Sequence, residues 1–169
     1  MELERSRSAL RTLSRLPAFG AVQRVADSLA WSSRRPGRLL VLGTPGYEPW
    51  HLVAHLQTSA LAPSAPMLLR WSVPVGAPAH LALGLDRLAD CSPADTVLVV
   101  AGDQPNEELL NRLDDARRHG NTVLGLATGQ PAELDQVTHE LAVVRGEHFD
   151  HAQHYLPVAR ARSRFDRNR

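Results

Sequence analysis

The sequence predicts an α/β domain: a three-layer sandwich on a five-stranded, mostly parallel sheet, with helices at both ends. Three observations predict it. The first is Ala94–Leu126, which reads as one strand-helix-strand unit. Thr96–Ala101 is a continuous run of β-branched and aliphatic residues, the pattern of a strand buried on both faces. Turn residues 102–106 break the run, and Pro105 suits the opening turn of a helix. Glu107 and Glu108 complement the positive end of the helix dipole, and Leu109, Leu110, Leu113 and Ala116 recur at helical spacing. Arg117, Arg118 and His119 fill the last turn, and Gly120 stops it before a second strand, Thr122–Leu126. The second observation is that the other apolar runs are equally short and are separated by helical patterns, which selects parallel pairing with right-handed crossovers. The third is size: 169 residues, 43% hydrophobic and 22% charged, suffice for one domain with a core.

The elements follow in order. Met1–Ser14 sets Leu3, Leu10 and Leu13 among arginine and serine, a weakly amphipathic helix. After Pro17, Ala18–Trp31 resumes the spacing with Phe19, Val22, Val25, Ala26, Leu29 and Ala30. Residues 1–37 therefore form an N-terminal helical arm that either covers one sheet face or, the favoured use, pairs with a second subunit, and Ser32–Arg38 is its loop into the domain at 38–162. Arg38–Gly43 is the first strand, Gly43–Tyr47 a turn, and a helix opens at Glu48-Pro49-Trp50 and runs to Gln57. Leu61–Pro66 is a linker, Met67–Val73 the second strand and Ala79–Ala89 a helix with Leu81, Leu85 and Leu88 inward. Beyond the central unit come a turn at 127–131, the short helix Ala132–Val137, the strand Leu141–Val144 and a helix at His148–Arg162. Residues 163–169 form an Arg-rich tail expected to be disordered. Five strands with helices between them make a flavodoxin-like sandwich.

Composition narrows the chemistry. The net charge is +1, so no strong field is directed at nucleic acid or membrane, and nucleic acid is not an expected partner. All 19 basic residues are arginine, which excludes a lysine Schiff base and a P-loop lysine. A lone Cys91 forms no internal disulfide and fits a reducing cytoplasm, the expected location; it reads as an idle thiol. No stretch reaches the ~20 apolar residues of a membrane span, and the N-terminus carries no signal-peptide pattern.

Sites in open parallel sheets lie beyond the carboxyl ends of the strands. Two Gly-containing turns fall there. Gly43, Thr44, Gly46 and Tyr47 form the first; Gly102, Asp103, Gln104 and Asn106 form the second. Strand, turn and helix N-terminus together make an anion cradle, so these eight are the candidate ligand-binding residues. His51 and His55 are four apart on one helix face, one turn after the first loop, and are the candidate metal ligands; His148, His151 and His154 repeat on the last helix. No cofactor is expected, with zinc as the one candidate, since two histidine pairs that meet suit it. Glu48, Asp103, Glu107 and Glu147 are the carboxylates placed near the cleft, with Glu107 and Glu108 also natural dipole partners. Trp31, Trp50 and Trp71 read as core or interface anchors.

These residues resemble the sugar isomerase (SIS) family of phosphosugar-binding domains. VVAGDQPNEELLNRLDDARRHGNTVLGLA is similar to the family's strand, phosphate turn and following helix and strand; QPAELDQVTHELAVV and RLLVLGTPGYEPWHLVAHL look like neighbouring blocks, so the likeness covers 38–144. It departs where the phosphate turn supplies hydroxyls: Gly102 and Asp103 stand there, and the first turn keeps only Thr44. The resemblance implies a homo-oligomer that binds a phosphorylated sugar or similar anion. If it is an enzyme, the implied class is aldose–ketose isomerase, with Glu107 and His151 as the acid–base pair. Phosphoheptose isomerases of this family carry His-x-x-x-Glu on the helix where His51 and His55 stand, with a further metal-binding His on a late helix. Two alternatives accompany that reading: a non-catalytic regulatory or interaction subunit that kept the fold and lost the phosphate site, and a zinc-dependent site using His51 and His55.

Overall fold

Short apolar runs without alternation are satisfied only where both faces are covered, and the computed structural model, which describes residues 2–32, 37–58, 65–73, 75–76 and 83–166, covers them. Strands β1 (Leu39–Leu42), β2 (Met67–Leu69), β3 (Thr96–Ala101), β4 (Thr122–Thr128) and β5 (Glu140–Val144) form one sheet in the order β2-β1-β3-β4-β5. Every pairing is parallel, and β1 and β3 are buried along their whole length. Helices α1 (Glu2–Leu13), α2 (Phe19–Ser32), α3 (Trp50–Thr58) and α6 (Gly146–Asp166) share one face. Helices α4 (Glu107–Arg118) and α5 (Ala132–Val137), with a short 3-10 helix at Leu85–Asp90, cover the other.

This layering follows from chain direction. The chain leaves β1 through α3 toward β2 and leaves β3 through α4 toward β4, in opposite senses. The order therefore reverses between β1 and β3, the place where open α/β sheets form ligand crevices. Register puts Leu42 beside Val99, so the turns after the two strands emerge side by side. At the amino end the same strands are tied by Asp95. Its buried carboxylate accepts from the Arg38 backbone N–H at 2.8 Å, the Arg38 guanidinium at 2.7 Å and the Ser92 N–H at 3.0 Å.

Several elements differ from the sequence expectation. The N-terminal arm lies on the sheet: Leu13, Val22, Val25, Ala26 and Leu29 enter one core with Val41, Leu98, Leu124 and Leu156. The apolar stripe on Ala18–Trp31 is thus used within the chain rather than left for a second subunit. The second strand stops at Leu69, because Arg70 pairs only through an isolated bridge to Gly84. Of the helix expected at Ala79–Ala89, the described residues 83–89 carry a 3-10 segment at Leu85–Asp90, with Leu85 and Leu88 buried; residues 79–82, including Leu81, lie outside the described residues, as do 61–64 of the linker. The fourth strand runs on to Thr128. The last helix starts at Gly146 and continues through Pro157 to Asp166, so the tail expected from Ser163 is helical over its first four positions, and 167–169 lie outside the described residues.

Candidate functional site

The two turns meet, and their own side chains fill the gap between them. Tyr47 N–H closes the first turn onto the Thr44 carbonyl at 3.1 Å. The Tyr47 ring then lies against Gly102, where an added Cβ would stand 2.6 Å from the ring. Its far side packs edge-on against Phe149 with centroids 5.5 Å apart, and Gln153 donates to its hydroxyl at 2.8 Å. Thr44, fully buried, donates its hydroxyl to the Asp103 carboxylate, and Asp103 also closes on Gly46, where a Cβ would strike it. A side chain at Gly43 would run into the Tyr47 backbone. Glycine is therefore demanded at 43 by the closure of the first turn on itself and at 102 by the Tyr47 ring of the facing turn, whereas at 46 a Cβ meets only the end of the Asp103 side chain. A carboxylate occupies the place of an anion, and it would repel a phosphate dianion there. Gln104 is exposed, and Asn106 caps α4 by accepting from Leu109 N–H at 2.9 Å.

Next to this rim the histidines converge. His51 and His55 are successive on one face of α3, and α6 packs on α3 to bring His154 against them. One ring nitrogen of each falls within 4.8 Å of the others, and ring centroids are 4.5–4.7 Å apart. His51 Nε2 stands 3.0 Å from His154 Nε2. Two imidazoles on one tetrahedral ion, with bonds of about 2.0–2.1 Å, have nitrogens about 3.3 Å apart, so this set fits a zinc-class ion after small rotations. Asp150, one turn before His154, places carboxylate oxygens 3.5 Å from His154 Nε2 and 3.8 Å from His51 Nε2. Burial, with the neighbouring His51, His55 and Arg5, holds the His154 pKa below its usual value despite Asp150. That direction favours the neutral form of His154, the form that ligates metal. The side chain of His51 is half exposed and that of His154 is mostly covered, so the cluster opens to solvent on one side.

The structure brings together Gly43, Thr44, Gly46 and Tyr47 with Gly102 and Asp103, and separately His51 with His55. It does not join Glu107 with His151. Glu107 is exposed in the first turn of α4, whereas His151 lies on α6 across the sheet, its Nδ1 buried with no hydrogen-bond partner. Sequence reading does not assign His154 and Asp150 to the metal set. Their four-residue spacing opposite that of His51 and His55 is the available signal, but the rotation of α6 against α3 is set only by packing. Glu48 is engaged by Arg70 at 3.1 Å and by Trp50 Nε1 at 2.8 Å, with the Arg70 guanidinium over the Trp50 ring. Cys91 is pushed up to about 11 by burial and by Asp95, consistent with an idle thiol.

No protein-family profile and no curated protein matches the chain. Solved structures do. The chain resembles the Vibrio vulnificus NanR protein complexed with ManNAc-6P at a TM-score of 0.60 and 13% identity, over 98% of this chain and 61% of that one. It resembles an Escherichia coli CFT073 protein, solved as a ligand complex, at 0.59 and 11%, over 99% and 88%. The sugar isomerase domain of an RpiR transcription factor from Sphaerobacter thermophilus matches at 0.55 and 11%, over 98% and 90%. The chain spans 49% of a Salmonella typhimurium LT2 protein and 61% of the NanR protein, about half to three-fifths of each. At these identities the likeness is one of fold.

Proposed function

We propose that this chain, which has the sugar isomerase fold, binds a divalent ion of the zinc class at His51, His55 and His154 and presents it to a phosphorylated sugar or similar oxygen-rich anion. The observation that carries this reading is the convergence of three imidazoles from two helices within 4.8 Å, beside the sheet edge where the strand order reverses. Three histidines with one side open is the ligand set of sites that keep a position for an exogenous group. When bound, such an ion polarises a ligand oxygen and lowers the pKa of a bound water. The chain's own residues supply the rest. Asp150 faces the nitrogens as a fourth ligand or proton acceptor. The ligand class is suggested by the ManNAc-6P that one structural neighbour carries.

The test is zinc titration by calorimetry, with metal analysis of protein purified without a histidine tag. One ion per chain is expected, with affinity reduced at least tenfold in His154→Ala. A sugar phosphate should raise the melting temperature of the zinc-loaded protein more than that of the metal-free protein. Absence of stoichiometric zinc, with identical melting of wild type and variant in its presence, overturns the reading. A second reading is favoured by the filled turns: an interaction or regulatory subunit that uses the fold without a phosphate site. It predicts no shift with any sugar phosphate, and co-purification of a partner at fixed stoichiometry.

A further inference from the structure

Beyond that centre, we infer a second ligand site in the cleft between α1 and the start of α6, shaped for an elongated organic polyanion of the nucleotide class. Arg7, Arg11 and Arg15 recur every four residues from α1 into its following turn, so they share a face at a spacing of about 6 Å. All three are exposed and line a cavity of about 670 Å³, in which Glu4 is the one lining carboxylate. Among the described residues none of the three has an ion-pair partner. Like charges at that spacing destabilise a helix, a cost that an anion lying across them removes. Guanidinium forks are the groups that hold phosphate oxygens in pairs.

The far end of the cleft has different chemistry. It passes His148 into a second hollow of about 440 Å³ lined by Leu16, Pro17, Ala18, Val143, Val144 and Arg145. Val143 stays 37% exposed, a large apolar side chain with a free surface at the sheet edge. His148 lines both hollows; its Nδ1 is buried with no hydrogen-bond partner, while its Nε2 faces Glu147 at 3.3 Å. Both hollows fall within the roughly 300–1,000 Å³ of ligand clefts. A cationic row leading to a hollow lined mainly by apolar side chains, with Arg145 and His148 among them, matches a polyphosphate joined to a flat ring that carries polar edge atoms. The phosphates lie along α1, the ring sits against Val143 and Pro17, and His148 offers a hydrogen bond between them. The site shares no residue with the three-histidine centre, and His154 lies beyond it along α6.

The experiment is calorimetric titration of the full chain in metal-free buffer with ATP, inorganic tripolyphosphate and adenosine. ATP is expected to bind once per chain, tripolyphosphate more weakly and adenosine not measurably. Arg11→Gln and, as a second variant, Arg7→Gln each weaken ATP about tenfold, the loss of one charge-assisted phosphate contact. Val143→Asn weakens ATP but leaves tripolyphosphate unchanged. His154→Ala leaves ATP binding intact while removing zinc, so the two sites fail independently. No ATP binding at millimolar concentration, or equal binding by wild type and both arginine variants, overturns the proposal. So does sedimentation showing that Arg11→Gln dissociates a dimer, since the row is then an interface between copies.

Discussion

Asp95 shows how much one side chain holds. Burial alone would raise its carboxyl, but hydrogen bonds from the Arg38 guanidinium and from the backbone N–H groups of Arg38 and Ser92 outweigh that and bring it below the usual value. Asp95→Ala should cost about 1–3 kcal/mol in urea denaturation at pH 7, the partner Arg38 being partly exposed. A carboxyl depressed on folding stabilises above its unfolded pKa of about 3.9 and loses that contribution as pH falls toward the folded value. The gap between variant and wild type should therefore close below about pH 4 and stay constant from pH 5 to 8. Cys91, raised to about 11, should react with iodoacetamide at pH 8 about a hundredfold more slowly than in the urea-unfolded chain. The expectation of an idle thiol came from one cysteine between two elements, and this reaction rate tests it. The role of Asp95 was not legible, because its partner Arg38 is 57 residues away.

Helix α4 is the element most legible in advance: its acidic first turn, apolar spacing, basic last turn and terminal glycine all agree, and Gly120 adopts the left-handed φ of +92° that ends it. Asn106 is its N-cap, so Asn106→Ala should lower stability by about 1 kcal/mol, read from the denaturation midpoint. An unchanged midpoint would free Asn106 for ligand contact alone. Strand β3 sits between β1 and β4 with every residue buried, so Leu98→Ala should cost about 2–5 kcal/mol. Strand β2 and the 3-10 helix were less legible. Met67–Val73 carries strand residues throughout, but pairing with β1 covers only three of them, and nothing in the segment itself records where its neighbour ends. The last helix was legible through Pro157, since the expected span His148–Arg162 contains it, and α6 passes through it with Leu156 and Ala159 packed in the core.

At the scale of the molecule, α1, α2, α3 and α6 on one face make the histidine centre depend on the core that holds α3 against α6. Zinc that binds only the folded chain should raise its stability, by about 2.7 kcal/mol at a hundredfold excess over Kd. Thermal melts with and without zinc should separate in wild type and coincide in His154→Ala. The reversal between β1 and β3 puts the two turns side by side as their place after parallel strands predicts, but their contact is made through Tyr47 and Asp103. Both the closure of the crevice and the opening of the cleft along α1 are properties of the assembled layers.

Sequence alone determined the layers, the number and direction of the strands, the acidic first turn and the stop of α4, the pair of bends at the carboxyl edge and the His51–His55 spacing. Each is a short-range consequence of periodicity, of a turn residue's backbone preference or of a helix dipole. The tertiary structure decided that the N-terminal arm lies on the sheet, that Tyr47 and Asp103 fill the space between the bends, and that His154 and Asp150 complete the histidine group. Those outcomes rest on the rotation and register of elements packed far apart in the chain, which interdigitation of the core sets and no local pattern encodes.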